Sequence, residues 1–99
     1  MFLVNITIKS DQVPSDQAEK RLAEHRAWFT EQFEKGNFLL VGPYKDKEMA
    51  GLSIAQADSR EALEAIIAQD AYYPDDATYD ISEFTANRIA ENLVEFRGK

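Results

Sequence analysis

Apolar residues alternate with polar ones at the amino terminus: Phe2, Val4, Ile6 and Ile8 are separated by Leu3, Asn5 and Thr7. That period of two predicts a strand with one buried face. The segment KSDQVPSDQ then reads as a loop entering a helix, with Ser15 as N-cap and with Asp16 and Glu19 at the positive helix end. From there the period changes to that of a helix running to Lys35, with Gly36 as the C′ residue. Ala18, Leu22, His25, Phe29 and Phe33 form its apolar stripe. Trp28 falls roughly 60° from the centre of that stripe, flanking the core or meeting a second subunit.

Two further strands are expected at about 38–42 and 50–56, joined by a turn, and Gly42-Pro43 closes the first of them. A second helix starts at Asp58 or Ser59, where Asp58 and Glu61 have capping-box spacing. It carries Ala62, Leu63, Ile66 and Ile67 and stops near Asp70. After the turn-rich AYYPDDATYD, the segment TYDISEFTANR supplies a fourth strand. In the tail, Ile89, Leu93 and Phe96 have helical spacing, but the segment is too short to be stable unless docked on the domain or a partner. The order βαββαβ is the split βαβ arrangement of a ferredoxin-like α+β fold with a four-stranded antiparallel sheet. Two helices cover one sheet face only. Leu3, with either Phe38 and Leu40 or Leu39 and Val41, would place apolar groups on the other, which predicts a homodimer.

Composition narrows the possible functions. At 99 residues the chain is one domain, 1–99, able to fold without a metal or disulfide staple. The absence of cysteine excludes thiol catalysis and cysteine-ligated metal sites, and fits a reducing compartment. A net charge of −7 with no basic run opposes binding to nucleic acid or to an anionic membrane. The N-terminal MFLVNITIKS has no basic n-region or long apolar run, and no segment is apolar enough to span a bilayer. A cytoplasmic location is therefore expected. One histidine, no cysteine and a PDDATYD segment without EF-hand spacing predict no metal, and without GxGxxG or a P-loop no nucleotide cofactor is expected.

Chemistry narrows to His25. An imidazole in an apolar stripe needs a partner, either a backbone carbonyl in a structural role or a carboxylate that fixes its tautomer for acid–base work. Asp70 is the best candidate among the acids. It follows Leu63 and Ile66 by seven and four residues, so a helix reaching that far would aim it at the core. It could equally begin the following turn. Glu24 and Glu31 belong to the outer side of their helix. Tyr44, Tyr72 and Tyr73 are candidates for a pocket wall or for hydrogen-bond donors, and Ser53 for a hydrogen bond at the site. Gly42 and Pro43 could bring backbone N–H groups near an anion.

The assembly EHRAWFTEQFEKGNFLLVGPY followed by GLSIAQADSREALEAIIAQDAYY resembles the YCII-related (YciI-like) proteins over roughly residues 1–88, leaving 89–99 as a tail. The pattern comprises a histidine in the first helix, Gly-Pro ending the second strand, a glycine opening the third, and an aspartate closing the second helix. The proline that usually follows this aspartate is Ala71 here. The resemblance implies a ferredoxin-like, dimeric α/β-barrel-like assembly with a His–Asp active-site dyad, which maps onto His25 and Asp70. One relative is a dehydrochlorinase of a chlorinated hydroxyhydroquinone, which implies a small, aromatic or enol-type substrate; no cofactor is expected. The expected function is thus general acid–base catalysis of lyase or dehydrohalogenase type, for which one such group contributes about 10²–10⁴-fold. Two alternatives are a non-catalytic ligand-binding or protein-interaction domain with a structural dyad, and a cofactor-free oxygenase with Trp28 lining its pocket.

Overall fold

Alternation at the amino terminus becomes a strand whose two faces differ in depth. In the computed structural model, which describes residues 1–99, β1 spans Phe2–Ile8; Phe2, Val4 and Ile6 are buried while Leu3 and Asn5 are half-buried. The remaining elements are α1 (Ala18–Glu34), β2 (Phe38–Pro43), β3 (Ala50–Ala55), α2 (Arg60–Ile67) and β4 (Ala77–Glu83). The sheet order is β2-β3-β1-β4 and every neighbouring pair is antiparallel, the ferredoxin-like α+β arrangement.

Register assigns the faces. Val4 lies opposite Ser53 and Ile81, and Ile6 opposite Gly51 and Tyr79, so these side chains share the helix-covered side. Leu3 opposite Ile54, and Asn5 opposite Leu52 and Asp80, belong to the uncovered side. On β2 the pairing shifts between Phe38 and Leu40. The irregularity places Phe38 opposite Ala55 in the core and Leu40 opposite Ile54 on the outer face. Neither strictly alternating set expected for β2 occurs, because the extra residue of a bulge resets which side the chain faces.

Helix α1 departs from the expected start and stripe. Gln17, not Ser15, precedes its first turn and makes no side-chain cap, because a turn closes there first, with the Gln17 N–H donating to the Pro14 carbonyl at 2.9 Å. The residues α1 buries are His25, Trp28 and Gln32, whereas Phe33 is 56% exposed. Trp28 is the larger group, and the helix is rolled to bury it. Phe33, roughly 140° round the helix from Trp28, is turned outward. The indole packs edge-on against Phe38 at 5.3 Å and donates to the Ile66 carbonyl at 3.0 Å, locking α1 to the end of α2. Gly36, at φ +81°, adopts the left-handed C′ conformation that ends the helix.

Ser59 is the cap of α2: its Oγ accepts from the Ala62 N–H at 3.1 Å. The helix ends at Ile67, and Asp70 lies three residues beyond it, in a turn where its N–H donates to the Ile67 carbonyl. Strand β4 stops at Glu83, short of the expected TYDISEFTANR span, and Phe84 adds one more backbone bond to Met1. In the tail only Leu93–Phe96 forms a single 3₁₀ turn, and Ile89, Val94 and Phe96 are exposed. With no surface burying its apolar positions, a segment this short does not make the expected helix.

Candidate active site

His25 faces inward from α1 because helical spacing puts it on the same side as Trp28 and Gln32. Its ring meets Phe29 edge-on at 4.8 Å and lies 5.1 Å from the Tyr72 ring. Asp70 reaches it from the turn after α2: His25 Nδ1 and Asp70 Oδ1 are 2.6 Å apart. The other carboxylate oxygen, Oδ2, accepts from the Tyr79 hydroxyl at 2.6 Å. The Asp70 side chain is fully buried. An ionised carboxylate can only accept, so this geometry assigns the imidazole proton to Nδ1. His25 Nε2 is left without a partner in the chain.

Tyr79 is the member of this group that sequence reasoning missed. It comes from β4, two residues after Ala77 and two before Ile81, on the helix-covered side. Period two through ATYDI was the available signal; what it could not supply was the distance to Asp70. Burial first, and then the hydrogen bond to Asp70, push the Tyr79 phenol far above the 10.0 of a free tyrosine. It therefore remains a donor to the carboxylate. Burial likewise raises the Tyr72 phenol, partly offset by the Arg21 guanidinium 5.3 Å above its ring. Arg21 also pairs with Asp76, tying α1 to the segment before β4.

Between α1 and the β2–β3 hairpin lies an open cleft of about 610 Å³. Leu22, His25 and Phe29 line it from the helix, Ile6 and Ile8 from β1, and Val41, Pro43 and Met49 from the hairpin side. His25 is thus the link between the cleft and Asp70, which lies behind it. Gly42, Pro43 and Tyr44 all line the cleft. The Tyr44 hydroxyl is committed to Asn5 Oδ1 on the uncovered side of the sheet, so this tyrosine borders the cleft at the hairpin edge without offering it a donor. Tyr72 does not line the cleft; it borders a smaller neighbouring pocket and backs the imidazole. Tyr73, 45% exposed, packs against Tyr79. Ser53 sits on the covered side of β3, wholly buried and away from the cleft, with Oγ unpaired. Trp28 is also absent from the lining and belongs to the core. No three His, Asp or Glu side chains gather where they could share a metal ion, and no helix is long and apolar enough to cross a membrane.

The cleft, a nitrogen that can accept a proton there, and a buried carboxylate behind it are the parts of an acid–base site. Comparison with known proteins finds a structural likeness to muconolactone isomerase, known from its crystal structure. The TM-score is 0.72, with 19% identity over 93% of each chain, a likeness of fold. No curated protein matches the sequence. The model of the YCII-related domain matches residues 1–85, and the chain belongs to that family.

Proposed function

We infer that the protein is a small acid–base enzyme in which His25 Nε2 takes a proton from, and returns it to, a small molecule held in the cleft. One observation carries this reading: Nδ1 is tied to a buried carboxylate while Nε2 is unpaired on a residue that lines the cleft. Proton uptake makes an imidazolium, whose charge Asp70 stabilises, while Tyr79 holds the second carboxylate oxygen in place. Gly42, Pro43 and Tyr44 form the hairpin wall against the substrate. Lyase or dehydrohalogenase chemistry suits this site, since elimination begins by removing a proton beside the leaving group. Isomerisation, the activity that names muconolactone isomerase, a protein of the same fold, is also open to a site that takes a proton from one carbon and returns it to another.

Solvent-deuterium incorporation tests this without a known substrate. A panel of small enolisable ketones, lactones and hydroquinones is incubated in D₂O, and loss of C–H signal is followed by NMR. At least one compound is expected to exchange with the native protein, and His25→Ala should slow that exchange by about 10²-fold or more. Exchange unaffected by His25→Ala, or none across the panel, would overturn the reading. A structural role for the dyad rests on a different observation: Asp70 joins α1, the turn after α2, and β4. In that case His25→Ala would lower the melting temperature without any change in exchange.

Two copies of the chain are also proposed to pair through the uncovered sheet face. Leu3, Leu40, Leu52 and Ile54 all lie there, and Leu40 is 38% exposed. An apolar sheet face of this kind is ordinarily covered by a second layer.

A further inference from the structure

We propose that the cleft continues past Met49 into a second, apolar pocket, and that the ligand presented to His25 carries a short unbranched hydrocarbon arm seated there. The claim rests on the acid–base reading for the reacting head of the ligand. Its own support is the way two cavities meet. A pocket of about 160 Å³ lies beside the cleft, and the two share Ile8, Leu22 and Met49 as walls. On α1 the shared residue is Leu22. The cleft takes the following turns, at His25 and Phe29, and the pocket takes the preceding one, at Ala18 and Glu19. The hollows therefore form one groove along the helix, in which Ala18 and His25 are separated by a rise of about 10 Å.

Lining sets the chemistry of the arm. Ile8, Val13 and Leu22 are half-buried and Tyr72 is buried, whereas Ser10 and Glu19, the two polar members, are exposed at the rim. No cation lines the pocket. Such a wall holds hydrocarbon and offers nothing to a charged or hydrogen-bonding arm. At about 30 Å³ for each water-sized group, 160 Å³ takes an arm of about four to five carbons. Tyr72 joins this pocket to the chemistry, since its ring lines the pocket and lies 5.1 Å from the His25 ring. Met49 is the second link. Its φ of +53° falls in the left-handed region, which suits glycine and is strained for a residue with a Cβ. The Ile8 N–H, donating to the Met49 carbonyl at 2.9 Å, holds the backbone there. A long, flexible thioether is nonetheless kept at this position, as a wall of both hollows. Strain retained beside a cavity points to a side chain kept for what it touches.

A series of 4-alkylphenols, from phenol to 4-hexylphenol, tests the claim, with 4-tert-butylphenol as the compact counterpart of 4-butylphenol. Each is titrated into the native protein and followed by methyl and amide NMR. Affinity is expected to rise about three- to fourfold per methylene as far as butyl or pentyl, then level off where the arm reaches solvent at the rim. 4-Butylphenol should bind at least about fivefold more tightly than 4-tert-butylphenol, which has the same carbons but less reach. Longer arms should extend the shifts from Phe29 to Val13 and Ala18. Ala18→Phe puts a ring into the pocket from an exposed position, and should abolish the gain beyond ethyl at an unchanged melting temperature. Met49→Gly suits the backbone, and should weaken the gain per carbon without lowering the melting temperature. His25→Ala should keep the gain. A flat series, binding by no member, equal binding of the two butylphenols, or a gain that survives Ala18→Phe would overturn the assignment. So would Met49→Gly with a lower melting temperature and an intact gain, which would make Met49 a packing residue. A failed series with intact deuterium exchange leaves the acid–base reading standing; the reverse outcome leaves a pocket for an apolar arm without that chemistry.

Discussion

Each oxygen of the Asp70 carboxylate has its own donor, His25 on one side and Tyr79 on the other, and the consequences of changing either follow from counting protons. Asp70→Asn keeps the shape but replaces one acceptor with an NH₂ group that faces a donor. With the amide oxygen kept on the Tyr79 donor, the NH₂ faces His25, whose relief is to move its proton to Nε2 and accept at Nδ1. That removes the lone pair from the cleft. Nitrogen-15 NMR of the neutral ring should show the proton on Nδ1 in the native protein and on Nε2 in Asp70→Asn, with deuterium exchange falling about 10²–10⁴-fold. Tyr79→Phe leaves Oδ2 without its donor and should cost about 1–3 kcal/mol near neutral pH. Its pH dependence has a definite sign. Folding raises the phenol above the 10.0 of the unfolded chain, so the stability gained by holding that proton is present below pH 10.0 and lost as pH rises further. Denaturant titrations should therefore show the gap between native protein and Tyr79→Phe narrowing above pH 10.0.

The β2–β3 hairpin forms one wall of the cleft, and its geometry depends on Gly51. A Cβ built there would sit 3.0 Å from the Gly42 carbonyl oxygen, a backbone atom with no rotamer to escape into. Gly51→Ala should separate the two strands and cost about 1–3 kcal/mol, read as a lower melting temperature. Gly42 is different: nothing lies within 4 Å of a Cβ added to it. The glycine that opens β3 is legible in the sequence as a family feature, but its cause is a contact between strands that no local pattern encodes. In α1, hydrophobic periodicity located His25 on the inner face correctly, yet ranked Phe33 above Trp28. Sequence spacing treats apolar residues as equivalent; packing does not, because the indole fills more volume and finds a carbonyl for its N–H at Ile66.

At the level of the assembled molecule the uncovered sheet face is the feature with the largest expected consequence. Analytical ultracentrifugation should give twice the mass of one chain for the native protein. Leu40→Glu combined with Ile54→Glu, on opposite partners of the outer face, should give a single-chain mass with unchanged secondary structure by circular dichroism. A native protein sedimenting as one chain would remove the dimer proposal. The bulge in β2 decides which apolar groups meet that face: Leu40 turns outward opposite Ile54, while Phe38 stays in the core and Val41 faces the cleft side opposite Ser53. The cleft lies on the opposite side of the sheet, under α1, so pairing through the outer face leaves it open.

Element order, fold class, the inward turn of His25 and the end of β2 at Gly42-Pro43 were legible along the chain. They follow from short-range physics: side-chain periodicity, the φ freedom of glycine and the missing donor of proline. His25 and Asp70 were each legible as residues needing explanation. Their meeting, 45 positions apart in sequence, was an expectation; the 2.6 Å between them is tertiary. So are the second donor from β4, the seclusion of Ser53, and the cleft that opens on the imidazole. A one-dimensional pattern records which face a residue occupies. It carries no distances between elements, and hydrogen bonds, charge and a cleft are all made of those distances.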